Sequence, residues 1–66
     1  MESIIQQALE QWSNERGIQA SSLRNIKVRW SEPQIGFHSI SFNSPNGLVI
    51  LKIIEGETSL KLIELS

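Results

Sequence analysis

The stretch GLVILKIIEGETSLKLIEL, Gly47 to Leu65, carries ten of the nineteen Ile, Leu and Val residues of this chain and two of its three lysines. It divides at EGET into two apolar segments, where Gly56 offers the positive φ that suits a tight hairpin. With Gly56 and Glu57 as a two-residue loop, Ile53 faces Leu60 and Leu51 faces Leu62, with Val49 on the same side. That face is apolar and uncharged. The opposite face pairs Ile54 with Ser59, Lys52 with Lys61, Ile50 with Ile63 and Leu48 with Leu65, so it is apolar too, with two ammonium groups in its middle. A one-residue slip would exchange the faces, so this register is an assumption of the reading.

A sheet that is apolar on both faces needs two covers, and the rest of the chain supplies one. From Glu2 to Arg16 the apolar residues Ile4, Ile5, Ala8, Leu9 and Trp12 form one stripe of an α-helix. Gly17 fits the left-handed position after the helix, and Ile18 can fold back toward Trp12. Glu2 stands near the helix N-terminus, where a negative charge is favourable. Beyond a connector in which SSLR suggests one helical turn, Ile26, Val28 and Trp30 alternate with Lys27 and Arg29, the period of a half-buried strand. This parity sends Trp30 toward the core, as the helix stripe does Trp12.

SEPQ reads as a turn around Pro33. In IGFHSISFN the alternation changes parity near His38 and Ser39, which predicts a bulge or a bend there. SPNG closes this strand. Turn chemistry favours a three-residue PNG loop that pairs Phe42 with Ile50; core filling favours a two-residue loop that pairs Phe42 with Val49 and sends Ile40 and Phe42 toward the helix. We take the second. The expected fold is α+β, a single domain over residues 1–66 in which an N-terminal amphipathic helix packs on one face of a four-stranded antiparallel β-meander.

Composition narrows the chemistry. Sixty-six residues bury only about 60% of the surface that the unfolded chain exposes, and with no cysteine the usual staples of a small domain reduce to a second subunit. Six basic against seven acidic residues give a net charge of −1 and no global field for nucleic acid or an anionic membrane. All seven acids are Glu, and a lone His38 with scattered Glu offers no ligand spacing, so neither a metal nor any other cofactor is expected. The start MESIIQQALEQW has neither a basic leader nor a continuous apolar run, and a soluble, cytoplasmic protein is expected. None of the ten serines lies in a G-x-S-x-G or S-x-x-K setting, and His38 is read as structural, so catalysis on one chain is not expected. An active site formed around His38 at a subunit boundary is the least supported reading.

The leading expectation is a non-enzymatic protein-interaction module, a small adaptor or inhibitor. It binds itself as a homodimer, or another protein, through the second sheet face or the C-terminal edge strand. The interface candidates are Leu48, Ile50, Lys52, Ile54, Lys61, Ile63 and Leu65. Leaving the five apolar ones wet forgoes several kcal/mol at about 25 cal/mol per Å², comparable with the stability of a small domain. The alternative is a nucleic-acid-binding module that uses Arg24, Lys27 and Arg29, with Lys52 and Lys61 extending the basic surface. Against it, Trp30 points away from Lys27 and Arg29 in this reading.

Overall fold

The computed structural model describes residues 3–65. Helix α1 (Ile4–Glu15) precedes four strands, β1 (Arg24–Glu32), β2 (Phe37–Ser44), β3 (Gly47–Glu55) and β4 (Leu60–Glu64), paired antiparallel in the order β1-β2-β3-β4. This is the α+β meander expected from the pattern of the chain. Ser3 caps α1 by accepting the Gln6 N–H at 3.1 Å, one of the donors that a helix start leaves without a partner. At the other end Gly17 adopts φ +68°, and the N–H groups of Gly17 and Ile18 donate to the carbonyls of Asn14 and Ser13. That is the glycine stop predicted from Gly17 and Ile18. Glu2 lies outside the described residues.

The stripe of α1 buries Ala8, Leu9 and Trp12 against Ile40 and Phe42 of β2 and Val49, Leu51 and Ile53 of β3, with Leu23 closing one end. Trp12 meets Phe42 edge-on, with ring centroids 5.0 Å apart, a favoured arrangement for aromatic pairs. Phe42 pairs with Val49 and Ser44 with Gly47, so Pro45 and Asn46 form the two-residue loop that core filling favoured. Ser44 Oγ braces it by accepting the Asn46 N–H and donating to the Gly47 carbonyl.

Three expectations require correction. The β3–β4 register is shifted by two residues: Leu51 pairs with Glu64, Ile53 with Leu62 and Glu55 with Leu60. A two-residue shift preserves both faces but changes every partner, so Lys52 lies opposite Ile63 and Lys61 opposite Ile54, and the two lysines are not paired. The loop is longer than two residues and closes with the Gly56 N–H donating to the Ser59 carbonyl at 2.8 Å. Gly56 is required there for space, not for a positive φ: a Cβ would stand 2.7 Å from the Ser59 oxygen.

Second, β2 alternates without interruption, with His38, Ile40 and Phe42 buried. The irregularities fall in β1, between Arg24 and Lys27 and between Val28 and Trp30, and Asn25 takes a positive φ of 54° within the first. Ile35 belongs to a 3₁₀ turn, Pro33–Ile35, not to the strand, and Phe37 lies on the face opposite to Ile40 and Phe42, which together account for the parity change seen in the sequence.

Third, Trp30 does not enter the core. The bulge before it reverses the parity of β1, so Val28 lies opposite Ile40 on the helix side while Trp30 lies opposite Ser39 on the other. Ile26 and Val28 stay exposed as well, because α1 is drawn to the far edge of the sheet. Gln11 Nε2 donates to the Leu60 carbonyl at 3.0 Å, and Trp12 Nε1 and Arg16 Nη2 both donate to Glu64 Oε1, at 2.9 and 2.7 Å.

Candidate functional site

Alternation along the strands and the observed registers divide the side chains between two faces. On the face away from α1, four rows cross the sheet: Glu32–Phe37–Ile54–Lys61, Trp30–Ser39–Lys52–Ile63, Lys27–Ser41–Ile50 and Arg24–Asn43–Leu48. Leu65 extends the third row, its N–H donating to the Ile50 carbonyl at 2.8 Å. No element of the described chain covers this face. Leu48 is 61% exposed, Leu65 52%, Trp30 45% and Ile63 36%, and Ile50 and Ile54 are half-buried by their neighbours alone.

All seven residues expected to form an interface share this face. The bulge in β1 adds Trp30, and the unbroken alternation of β2 adds Phe37; the two pack edge-on with centroids 5.0 Å apart, and Lys52 Nζ stands 5.7 Å from the Phe37 centroid, within cation–π range. Every lysine of the chain, Lys27, Lys52 and Lys61, is on it. Of the basic residues picked out near β1, Lys27 lies opposite Ser41 on the open face. Arg24 donates to the Ser21 carbonyl. Arg29 falls at the second bulge with no cross-strand partner in the register. The chain is nearly neutral overall, yet its three lysines and Arg24 fall on this surface together with Glu32, while Glu10 and Glu15 lie on the helix, Glu57 in the last turn, Glu55 and Glu64 on the helix-side rows, and Arg16 at the helix end, paired with Glu64.

The sheet edges are less available than the face. The Leu65–Ile50 bond fixes the hydrogen-bonding phase of β4, and by alternation the carbonyls of Leu60, Leu62 and Glu64 point outward. Gln11 occupies the first of these. The β1 edge carries two bulges, a common device against strand addition.

A second constellation lies on the helix side at the end of the sheet. His38, 5% exposed, has both ring nitrogens engaged: Nδ1 is 2.7 Å from Ser31 Oγ and Nε2 is 2.7 Å from Glu55 Oε2. Ser31 lies directly opposite His38, and Glu55 is two residues along β3 from Ile53, the cross-strand partner of His38. Gly36, at φ +67°, accepts the Glu55 N–H at 2.8 Å, and a Cβ on it would stand 3.0 Å from Glu55 Cβ. The left-handed glycine thus lets the chain approach and hold Glu55. Neither Ser31 nor Glu55 stood out in the sequence, where they lie 7 and 17 residues from His38; only a six-residue connection between Ser31 and His38 would have pointed to the first.

No helix among the described residues is long and apolar enough to cross a membrane, and no group of three or more His, Cys, Asp or Glu placed to hold a metal ion occurs among them. Comparison with protein-family models, with curated proteins and with solved structures finds no match for this chain.

Proposed function

We propose that this domain is a non-enzymatic interaction module whose working surface is the uncovered sheet face, and that it docks an acidic protein surface with an apolar ridge. The observation that carries this reading is the gathering of all three lysines among Leu48, Ile50, Ile54, Ile63 and Leu65 on the face that α1 leaves bare. A contiguous apolar patch of a few hundred Å² on a small domain commonly marks such a site, and the interspersed ammonium groups select carboxylates. The same charges weigh against a homodimer that joins two copies of this face, since each lysine cluster would meet another. Gln11 weighs against one built on the β4 edge.

A second reading has its own support. Trp30, Phe37, Lys27 and Lys52 share one exposed face, and exposed aromatics among cations are the elements with which a sheet binds single-stranded nucleic acid. The objection that Trp30 points away from Lys27 no longer stands.

Light scattering after size exclusion at low micromolar protein should give a monomer. Poly-glutamate should bind at low salt and be lost in Lys52→Glu/Lys61→Glu, with the fold retained by circular dichroism. Absence of any such binding rejects the acidic partner. Oligothymidylate binding that quenches Trp30 and weakens steeply toward physiological salt would replace it with the nucleic-acid reading.

A further inference from the structure

The interaction reading makes no use of the line of hydrogen bonds Ser31–His38–Glu55. Its polarity follows from what each group can do. A carboxylate only accepts, so Nε2–H donates to Glu55; in the neutral ring Nδ1 then keeps its lone pair and accepts from the Ser31 hydroxyl. Nucleophile, base and orienting carboxylate within hydrogen-bond reach form the arrangement that activates a serine, whatever the fold that holds them. The ring is turned over relative to the usual order, with Nδ1 toward the hydroxyl, and this does not alter the direction of proton transfer.

The surroundings fit the same role. His38 is shielded from water while Ser31 is an exposed residue whose bond to the ring is only partly buried, so the base is fixed and the hydroxyl lies at the surface end of the line. Beside Ser31 a groove of about 380 Å³, lined by Ser31, Glu32, Pro33 and Gln34, has room for a small reagent. The three residues come from β1, β2 and β3, so the sheet ladders hold the geometry.

We infer that Ser31 is an activated hydroxyl that accepts an acyl group from a small activated ester or thioester, with His38 as its base and Glu55 as the positioning residue for the imidazole. In this step the Ser31 Oγ–carbon bond forms as the proton passes to His38 Nδ1. The bond from the carbonyl carbon to the leaving oxygen or sulfur then breaks, and the leaving group takes that proton. The product is an O-acyl serine and a free alcohol or thiol. Acceptance of one acyl group per chain needs no oxidant, reductant or metal.

The test uses the full chain and p-nitrophenyl acetate, with peptide mass mapping. The expected result is one hydroxylamine-labile acetyl ester at Ser31, absent from Ser31→Ala, and the other nine serines serve as internal controls. General-base assistance should make Ser31 faster than those by about 10²–10⁴-fold. Glu55→Gln, checked for folding by circular dichroism, should slow the labelling by about ten- to a hundredfold, the worth of a charge-assisted hydrogen bond.

Because the chain has no cysteine, Ser31→Cys provides a readout that a purely structural hydrogen bond would not move. Its alkylation by iodoacetamide should outpace that of Ser59→Cys, exposed in the last turn, by about tenfold or more. Labelling spread evenly over the serines, or equal alkylation of the two cysteine variants, would overturn the inference.

Discussion

Replacement of Glu64 by Ala is expected to lower the stability of the domain by about 2–3 kcal/mol, far more than an exposed strand residue ordinarily controls. One oxygen, Oε1, accepts from both Trp12 Nε1 and Arg16 Nη2, and the Arg16 guanidinium also lies 4.4 Å from the Trp12 ring centroid. Trp12 is only 3% exposed, so water cannot easily replace the lost acceptor. A hydrogen bond to a charged group is worth about 1.5–3 kcal/mol. The Arg16–Glu64 pair, with side chains 38% and 33% exposed, adds only about 0.2–1 kcal/mol. A chain of this length has about 3–10 kcal/mol in all, and each kcal/mol is worth about 4–8 °C in a domain this small. Thermal melts followed by circular dichroism should therefore fall by about 10–20 °C for Glu64→Ala. Glu64→Gln keeps an acceptor for the indole and should lose about half as much. Arg16→Ala should cost about 1 kcal/mol or less. A Glu64→Ala melt within about 2 °C of the parent would show that the indole bond does not fasten β4 to α1.

Other outcomes follow from the same geometry. Leu51→Ala, on the covered face and fully buried, should cost about 2–5 kcal/mol, while Leu48→Ala on the open face should stay within about 0.5 kcal/mol in urea titrations; equal losses would contradict the assignment of faces. Gly36→Ala places a side chain at φ +67° and against Glu55, so a loss of about 1–3 kcal/mol is expected in the same assay. Ser3→Ala removes the helix cap and should cost about 1 kcal/mol, read as a lower melting temperature; an unchanged melt would mean that the Ser3 bond to Gln6 adds nothing.

The α+β meander was legible because each element carries its own period and stop. The stripe from Ile4 to Trp12, the glycine stop at Gly17 and the alternation in LVILKIIE act within a few residues of themselves. The shortage of covers was legible for a related reason, since one amphipathic stripe cannot shield a sheet that is apolar on both sides. The alternation places Leu48, Ile63 and Leu65 on a bare face, and the two-residue shift of β4 leaves them there because side chains alternate with period two.

Folding alone decided where β1 breaks parity, and that break moved Trp30 from the expected core to the open face beside Lys52. A bulge depends on how one strand meets its neighbour, and Val28 followed by Arg29 carries no local mark of it. The helix position was equally tertiary: Glu64 reads as a polar strand end until its carboxylate finds the indole of Trp12 across the fold. The same holds for Ser31, His38 and Glu55, which a linear reading keeps apart and three adjacent strands bring within 2.7 Å of one another in turn. Short-range periodicity is written in the order of residues, whereas contacts between distant residues exist only once the ladders have set their register.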